Sequence, residues 1–256
     1  MSEPNHSPPP TPTTTTPPSY AFPKHKLRKQ TDINRKPLVL IAAGSYSPIT
    51  NAHLKLFTDA FEYAKNTEFE VIGGYLSPVS DSYKKKDLAT ATHRIKMCEL
   101  AAEKIDWLMV DPWEALKEEY TMTADVLDHF DHEINAGQLL PVRAHVVLLA
   151  GADLLQTMAL PDVWSRADLD RILGQYGMFV EEREGTDLQG AIKLLPEELR
   201  ENIWAMPPVN LSNTSSTLVR GHLRLGSGIP KEMVPEQVGA YIEEKGLFPR
   251  KELSTV

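Results

Sequence analysis

Six short runs of apolar, β-forming residues recur along this 256-residue chain, and the segments between them carry helical spacing. The first run is Pro37-Leu38-Val39-Leu40-Ile41-Ala42-Ala43, stopped by Gly44. A strand with one wet face alternates apolar and polar residues; this one does not, so both of its faces must be covered. The same holds for His145-Val146-Val147-Leu148-Leu149-Ala150, which stops at Gly151. Shorter runs occupy residues 69–72, read as ended by Gly73-Gly74, and residues 107–110, 177–180 and 203–206. Strands buried on both faces and separated by helices demand a parallel sheet sandwiched between helical layers. The pattern predicts an α/β, doubly wound, mostly parallel domain over residues 37–256. Ligands of such sheets sit beyond the C-terminal ends of the strands.

The helical segments are read from apolar residues three and four apart. Leu54, Phe57, Phe61 and Ala64 follow Asn51 at that spacing, and residues 90–104 would turn Ile95, Cys98, Leu100 and Ala101 inward. Further helices are expected from Glu114 to about Asn135, near 166–175, at 215–224 and at 234–245. No solenoid repeat is visible.

Charge and proline divide the chain unevenly. Residues 1–23 hold 8 of the 20 prolines and a threonine run, with almost nothing apolar to bury, and read as a disordered tail. Residues 24–36 carry Lys24, Lys26, Arg28, Lys29, Arg35 and Lys36 against Asp32, a basic linker. The first 36 residues thus carry +4, and with −8 in total the remaining 220 carry −12. So acidic a domain argues against nucleic acid as a partner. The basic cluster at 24–29 has the composition of a nuclear import signal, with a merely solvated linker as its plain alternative. The single cysteine, Cys98, excludes an intrachain disulfide and a cysteine-based zinc site. With no long apolar run and no signal-like N-terminus, the expectation is no membrane contact and an intracellular location, nuclear and/or cytoplasmic.

Three segments carry chemistry, and each falls at an expected strand end or helix start. Gly44-Ser45-Tyr46-Ser47-Pro48-Ile49-Thr50-Asn51-Ala52-His53 joins the first strand to the first helix. Gly44 permits a sharp turn, the helix start offers free N–H groups to an anion, and His53 lies in its first turn. A lone histidine is more often a packed or surface residue; its place in this loop argues otherwise. Ser77-Pro78-Val79-Ser80-Asp81-Ser82-Tyr83-Lys84-Lys85-Lys86 brings three lysines to the end of the second strand, able to clamp a polyphosphate or simply to be solvated. Ser215-Ser216-Thr217-Leu218-Val219-Arg220 is an ordinary helix cap or a phosphate cradle. No P-loop, G-x-G-x-x-G, H-E-x-x-H or G-x-S-x-G is present, so any nucleotide is held by another device.

In order along the chain, G-S-Y-S-P-I-T-N-A-H-L, S-P-V-S-D-S-Y-K-K-K, V-D-P-W-E, G-A-D-L-L and S-S-T-L-V-R resemble the motifs of eukaryotic nicotinamide/nicotinic acid mononucleotide adenylyltransferases, of the H-x-G-H nucleotidyltransferase class. The resemblance covers nearly all of residues 37–250 and implies a Rossmann-like nucleotidyltransferase domain. Thr50 and Ala52 replace the first histidine and the glycine of H-x-G-H, Thr214 stands where isoleucine is usual, and Tyr120 where tryptophan is frequent. The implied activity is transfer of AMP from ATP to the 5′-phosphate of nicotinamide or nicotinate mononucleotide, giving NAD or its deamido form and pyrophosphate. By similarity Gly44, Ser45, Tyr46, His53, Lys86, Gly151, Asp153, Ser216, Thr217, Leu218, Val219 and Arg220 bind ATP, with His53 and Arg220 acting on the α-phosphate. Lys85, Tyr120, Thr123, Val163, Trp164 and Arg183 serve the mononucleotide, Trp164 and Tyr120 enclosing its pyridine ring.

Mg²⁺ is expected on the ATP oxygens with no protein-held metal; Asp111 and Glu114 are given no metal role. A homo-oligomer is compatible with the resemblance. The alternatives are a related nucleotidyltransferase with another phosphorylated acceptor, and a non-catalytic nucleotide-binding or chaperone-like protein on the same fold. The sequons at Asn5, Asn210 and Asn213 are read as chance.

Overall fold

The computed structural model describes residues 20–136, 140–182, 185–207 and 214–250. Six parallel strands form one sheet: β1 (Lys36–Gly44), β2 (Phe69–Pro78), β3 (Leu108–Val110), β4 (His145–Gly151), β5 (Met178–Glu181) and β6 (Ile203–Met206). Their order is β3-β2-β1-β4-β5-β6, so the chain winds one way from β1 and then the other. The crevice at such a reversal, here between β1 and β4, is where doubly wound sheets hold ligands.

The all-apolar strands supply two cores. Leu38, Leu40 and Ala42 of β1 join one, Val39 and Ile41 the other, because successive side chains point to opposite faces. The first core is closed by α1 (Asn51–Ala64), α2 (Ala91–Ala102), α8 (Ser216–Leu225) and α9 (Glu236–Glu244). The second is closed by α3 (Thr123–Asp131), α4 (Ala152–Met158), α5 (Arg166–Leu169), α6 (Leu188–Leu194) and α7 (Glu197–Arg200). Widened turns extend α3 through His132–Ala136 and α5 through Asp170–Tyr176. Helices α4, α6 and α7 had no counterpart in the sequence reading. No helix among the described residues is long and apolar enough to cross a membrane.

Three expectations are corrected. Gly73 and Gly74 do not end β2; they lie inside it. A Cβ on Gly73 would come within 2.6 Å of Leu27 Cδ2, and one on Gly74 within 2.7 Å of Trp107 and 3.0 Å of Phe57. The glycines are gaps that let side chains press against the strand, next to a register shift opposite Leu38 and Val39. Second, the helix expected from Glu114 begins only at Thr123, because residues 112–122 form an irregular loop that turns Glu114 inward. Third, residues 91–102 bury Arg94, Met97, Cys98, Ala101 and Ala102, while Ile95 and Leu100 are only half-buried.

The expected basic linker is a docked strap. Tyr20, Phe22 and Leu27 pack on the second core, Tyr75 donates to the Pro23 carbonyl at 2.8 Å, and the Arg28 amide donates to Ile72 at 2.8 Å. Lys26 Nζ donates to the carbonyls of Ala102 and Ile105 at 2.8 and 3.0 Å, a cation at the C-terminus of α2, and Arg28 pairs with Asp106 at 2.7 Å. Three side chains of the import-signal cluster, Lys26, Leu27 and Arg28, are therefore engaged with the domain. The disordered tail expected over residues 1–23 is corrected at its end, since Tyr20, Phe22 and Pro23 are docked on the domain; residues 1–19 and the asparagines of the three sequons lie outside the described residues.

The two glycines give a graded test. Gly74→Ala forces a methyl against two packed rings and should cost about 1–3 kcal/mol of unfolding free energy by urea titration. Gly73→Ala meets only the end of Leu27 on the strap and should cost less; equal losses would contradict this account of β2.

Candidate active site

The loop after β1 is fixed from three directions. Tyr46, at φ 42, folds its ring back over Gly44, where an added Cβ would lie 3.0 Å from the ring, and its hydroxyl donates to the Ala42 carbonyl at 2.7 Å. The turn is thus made at Tyr46, and Gly44 is required for lack of a side chain rather than for its backbone angle. Burial pushes the Tyr46 phenol well above its ordinary range, so it stays a neutral donor. Ser47 O accepts from Arg220 Nη1 at 2.7 Å, Pro48 O from Ser216 Oγ at 2.8 Å, and Ser45 O from Arg94 Nη1 at 3.3 Å.

Arg94, fully buried, is a positioning side chain that the sequence did not single out. Its guanidinium also donates to Ala89 O at 2.8 Å, Val79 O at 2.7 Å and Asp81 Oδ1 at 2.9 Å. One side chain from α2 thereby ties the β1–α1 loop to the loop after β2. The signal present in the sequence was an arginine one turn before the inward Met97 and Cys98.

Thr50, where the class pattern has histidine, orients His53. Its backbone N–H donates to His53 Nδ1 at 3.0 Å, and its hydroxyl lies 2.7 Å from the same nitrogen. A ring nitrogen that accepts from an amide carries no proton, so in the neutral ring the proton sits on Nε2. The ring is held edge-on to Tyr46 at 5.2 Å.

On α8, Ser215 caps the helix by accepting from the Leu218 amide at 3.2 Å, and the Val219 amide donates to Ser215 O at 3.1 Å. The Val219 side chain is in the core. Leu218 and Val219, expected at the ATP, thus have their amides spent on the helix, and Ser216, Thr217 and Arg220 remain. Arg220 is buried with its Nε unpartnered, and burial, then Arg224, lowers its pKa. A buried guanidinium with an idle donor is set to receive an anion. Gly151 ends β4 beside β1 and starts α4, with Asp153 exposed in its first turn.

A cavity of about 500 Å³ opens at the ends of β1 and β4, lined among others by Gly44, Ser45, Lys85, Tyr120, Thr123, Val163 and Trp164. It brings together every described residue expected at the mononucleotide; Arg183 lies outside the described residues. Tyr120 is half-exposed and stacks on Tyr83 at 5.6 Å, so it is not core packing. Trp164 is held by its Nε1, which donates to Thr157 Oγ1 at 3.1 Å. Lys84, Lys85 and Lys86 are all exposed, and Lys85 lines the cavity.

Glu114 lines the same cavity although only 2% exposed, and accepts from Ser77 Oγ at 2.6 Å. Burial raises its carboxyl to about 7, reinforced by Asp111 and opposed by Ser77 and Arg94. No group of three or more His, Cys, Asp or Glu side chains suited to a metal occurs among the described residues.

A cytidylyltransferase-like family model matches residues 41–222. The nicotinamide/nicotinic acid mononucleotide adenylyltransferase 1 of Saccharomyces cerevisiae is 44% identical over 90% of this chain, which spans 60% of that protein's length. The protein of the same description from Bos taurus is 36% identical over 82% of this chain and 88% of its own. Among solved structures, the Plasmodium falciparum nicotinic acid mononucleotide adenylyltransferase complexed with NaAD shares the fold, with a TM-score of 0.59 at 18% identity over 84% of this chain and 98% of its own.

Two measurements test the site's construction. Arg94→Lys keeps the charge but loses the fork, and should cost about 2–4 kcal/mol in chemical denaturation. Glu114 is raised in the folded state, so the folded protein holds a proton that the unfolded chain has released. Its contribution to stability is full below about 4.5 and is lost as pH rises through about 7. Glu114→Gln should flatten that decline, measured as unfolding free energy against pH.

Proposed function

The chain belongs to the nicotinamide/nicotinic acid mononucleotide adenylyltransferase family, and on that premise we propose that it transfers AMP from ATP to the 5′-phosphate of nicotinamide or nicotinate mononucleotide, releasing pyrophosphate and forming NAD or its deamido form. The observation that carries this reading is the meeting, at one sheet edge, of a phosphate-friendly loop, a buried arginine with an idle donor and an aromatic-lined cavity.

The acceptor phosphate is already a nucleophile. An oxygen of it attacks the ATP α-phosphorus as the bond to the pyrophosphate oxygen breaks, so the protein's work is positioning and charge neutralisation. His53, with its proton on Nε2, and Arg220 stabilise the charge that builds on the α-phosphate. Lys86, Ser216 and Thr217 receive the remaining ATP phosphates, and Gly44, Ser45 and Tyr46 shape the floor between the two substrates. Gly151 and Asp153 serve the adenosine end. Lys85 takes the mononucleotide phosphate, while Tyr120 and Trp164 offer ring faces to the pyridine, with Thr123 and Val163 near its substituent. Arg183 assists the mononucleotide side.

Mg²⁺, if carried on the ATP oxygens, would offset part of their charge.

Purified protein given ATP, Mg²⁺ and nicotinamide mononucleotide should form NAD in a coupled dehydrogenase assay; no NAD would sink the proposal. His53→Ala should lower kcat by about 10²–10³-fold with at most about 1 kcal/mol of stability lost from the helix start. Trp164→Ala should raise KM for the mononucleotide and leave KM for ATP nearly unchanged.

A further inference from the structure

Among the described residues that line the mononucleotide cavity, Glu114 is the one carboxyl. It reaches there from the loop after β3, and the Ser77 hydroxyl at the end of β2 fixes one of its oxygens. The groups around it are unevenly charged. Arg94 from α2 and Asp111 from its own loop act on it through the protein. Tyr46 of the β1–α1 loop and Tyr120 of its own loop feel its charge, and Lys85 and Tyr83 share the cavity wall. A carboxyl so placed confronts whatever charge the incoming pyridine nucleotide carries.

We propose that Glu114 is a specificity-determining residue: its carboxyl, set in the wall of the cavity that receives the mononucleotide, governs the relative use of the amide and acid substrates through its own charge. The inference rests on the activity proposed above. The two mononucleotides share ribose, phosphate and pyridinium and differ in one group, a neutral carboxamide against a carboxylate. An ionised Glu114 repels the second and tolerates the first, because like charges in a partly desolvated cavity interact more strongly than in water. A protonated Glu114 repels neither and is able to donate a hydrogen bond. Burial places the change between these states near neutral pH. A charge-bearing wall whose proton comes and goes in that range gives one cavity two selectivities.

The test is kcat/KM for each mononucleotide from about pH 6 to about pH 8, with the wild-type chain, Glu114→Gln and Ser77→Ala. Substrate phosphate titrates near pH ~6, but it is common to both acceptors and cancels in their ratio. The amide-to-acid ratio of the wild type should rise roughly five- to tenfold across the range. Glu114→Gln, permanently neutral, should hold the ratio at its low-pH value throughout. Ser77→Ala removes a bond that favours the ionised form and should move the midpoint upward, an effect that a merely structural Glu114 would not give. A flat wild-type ratio, or Glu114→Gln tracking the wild type, overturns the inference while leaving the activity standing. Should Glu114→Gln fail to fold, an unmoved midpoint in Ser77→Ala overturns it equally. Turnover of neither mononucleotide removes the activity itself, and this inference with it.

Discussion

One guanidinium governs the C-terminal edge of the sheet. Arg94 is fully buried, and burying a cation costs several kcal/mol unless its donors are met. They are met by three backbone carbonyls and one carboxylate, drawn from the loop after β1, the loop after β2 and the approach to α2. The arginine meets carbonyls that would otherwise be left without a protein partner, so the loops and the arginine stabilise one another. The Ser45 and Val79 segments, which border the cavity, are held at a fixed separation before any ligand arrives. Preorganisation of this kind removes the ordering cost from the binding step.

A second constraint is electrostatic. The chain beyond residue 36 carries −12, a long-range field unfavourable to polyphosphates. On the proposed activity, affinity must come from short-range donors, for which Arg220 with its idle Nε, His53 aimed by Thr50 and the exposed Lys84, Lys85 and Lys86 are at hand. Thr50 illustrates how a departure from a motif is absorbed. The backbone amide does the orienting, and that amide is available whatever side chain the position bears, while the hydroxyl adds a second contact to the same ring nitrogen.

The sheet was legible because its strands are apolar on both faces, a pattern few other folds produce. Strand limits were less so. Gly73 and Gly74 read as a stop because glycine disfavours strands in isolation, whereas Leu27 and Trp107, distant in sequence, make it the residue that fits. The segment from Glu114 to Met122 has helix-forming composition, but its buried acid and its place in the cavity wall override that preference. The residues expected at the mononucleotide, where described, do line one cavity. Arg94 and Glu114 escaped because their roles depend on who faces them, Val79 and Asp81 in one case and Ser77 in the other. Lone charged residues carry no trace of such partners in local sequence.

The strap over the second core has a consequence for the order in which the molecule assembles. Tyr20 meets His129, 109 residues further along, and Phe22 packs against Tyr75 and, edge-on, Phe130. Contacts so distant in sequence close large loops and form late. During synthesis the strap leaves the ribosome ahead of every surface it will cover. Until α3 has emerged, β1, β2 and β3 can pair while Tyr20 and Phe22 have no complete seat. The earliest-made aromatic residues of the described chain are then among its last to be covered, and for that interval they are open to whatever attends nascent polypeptides.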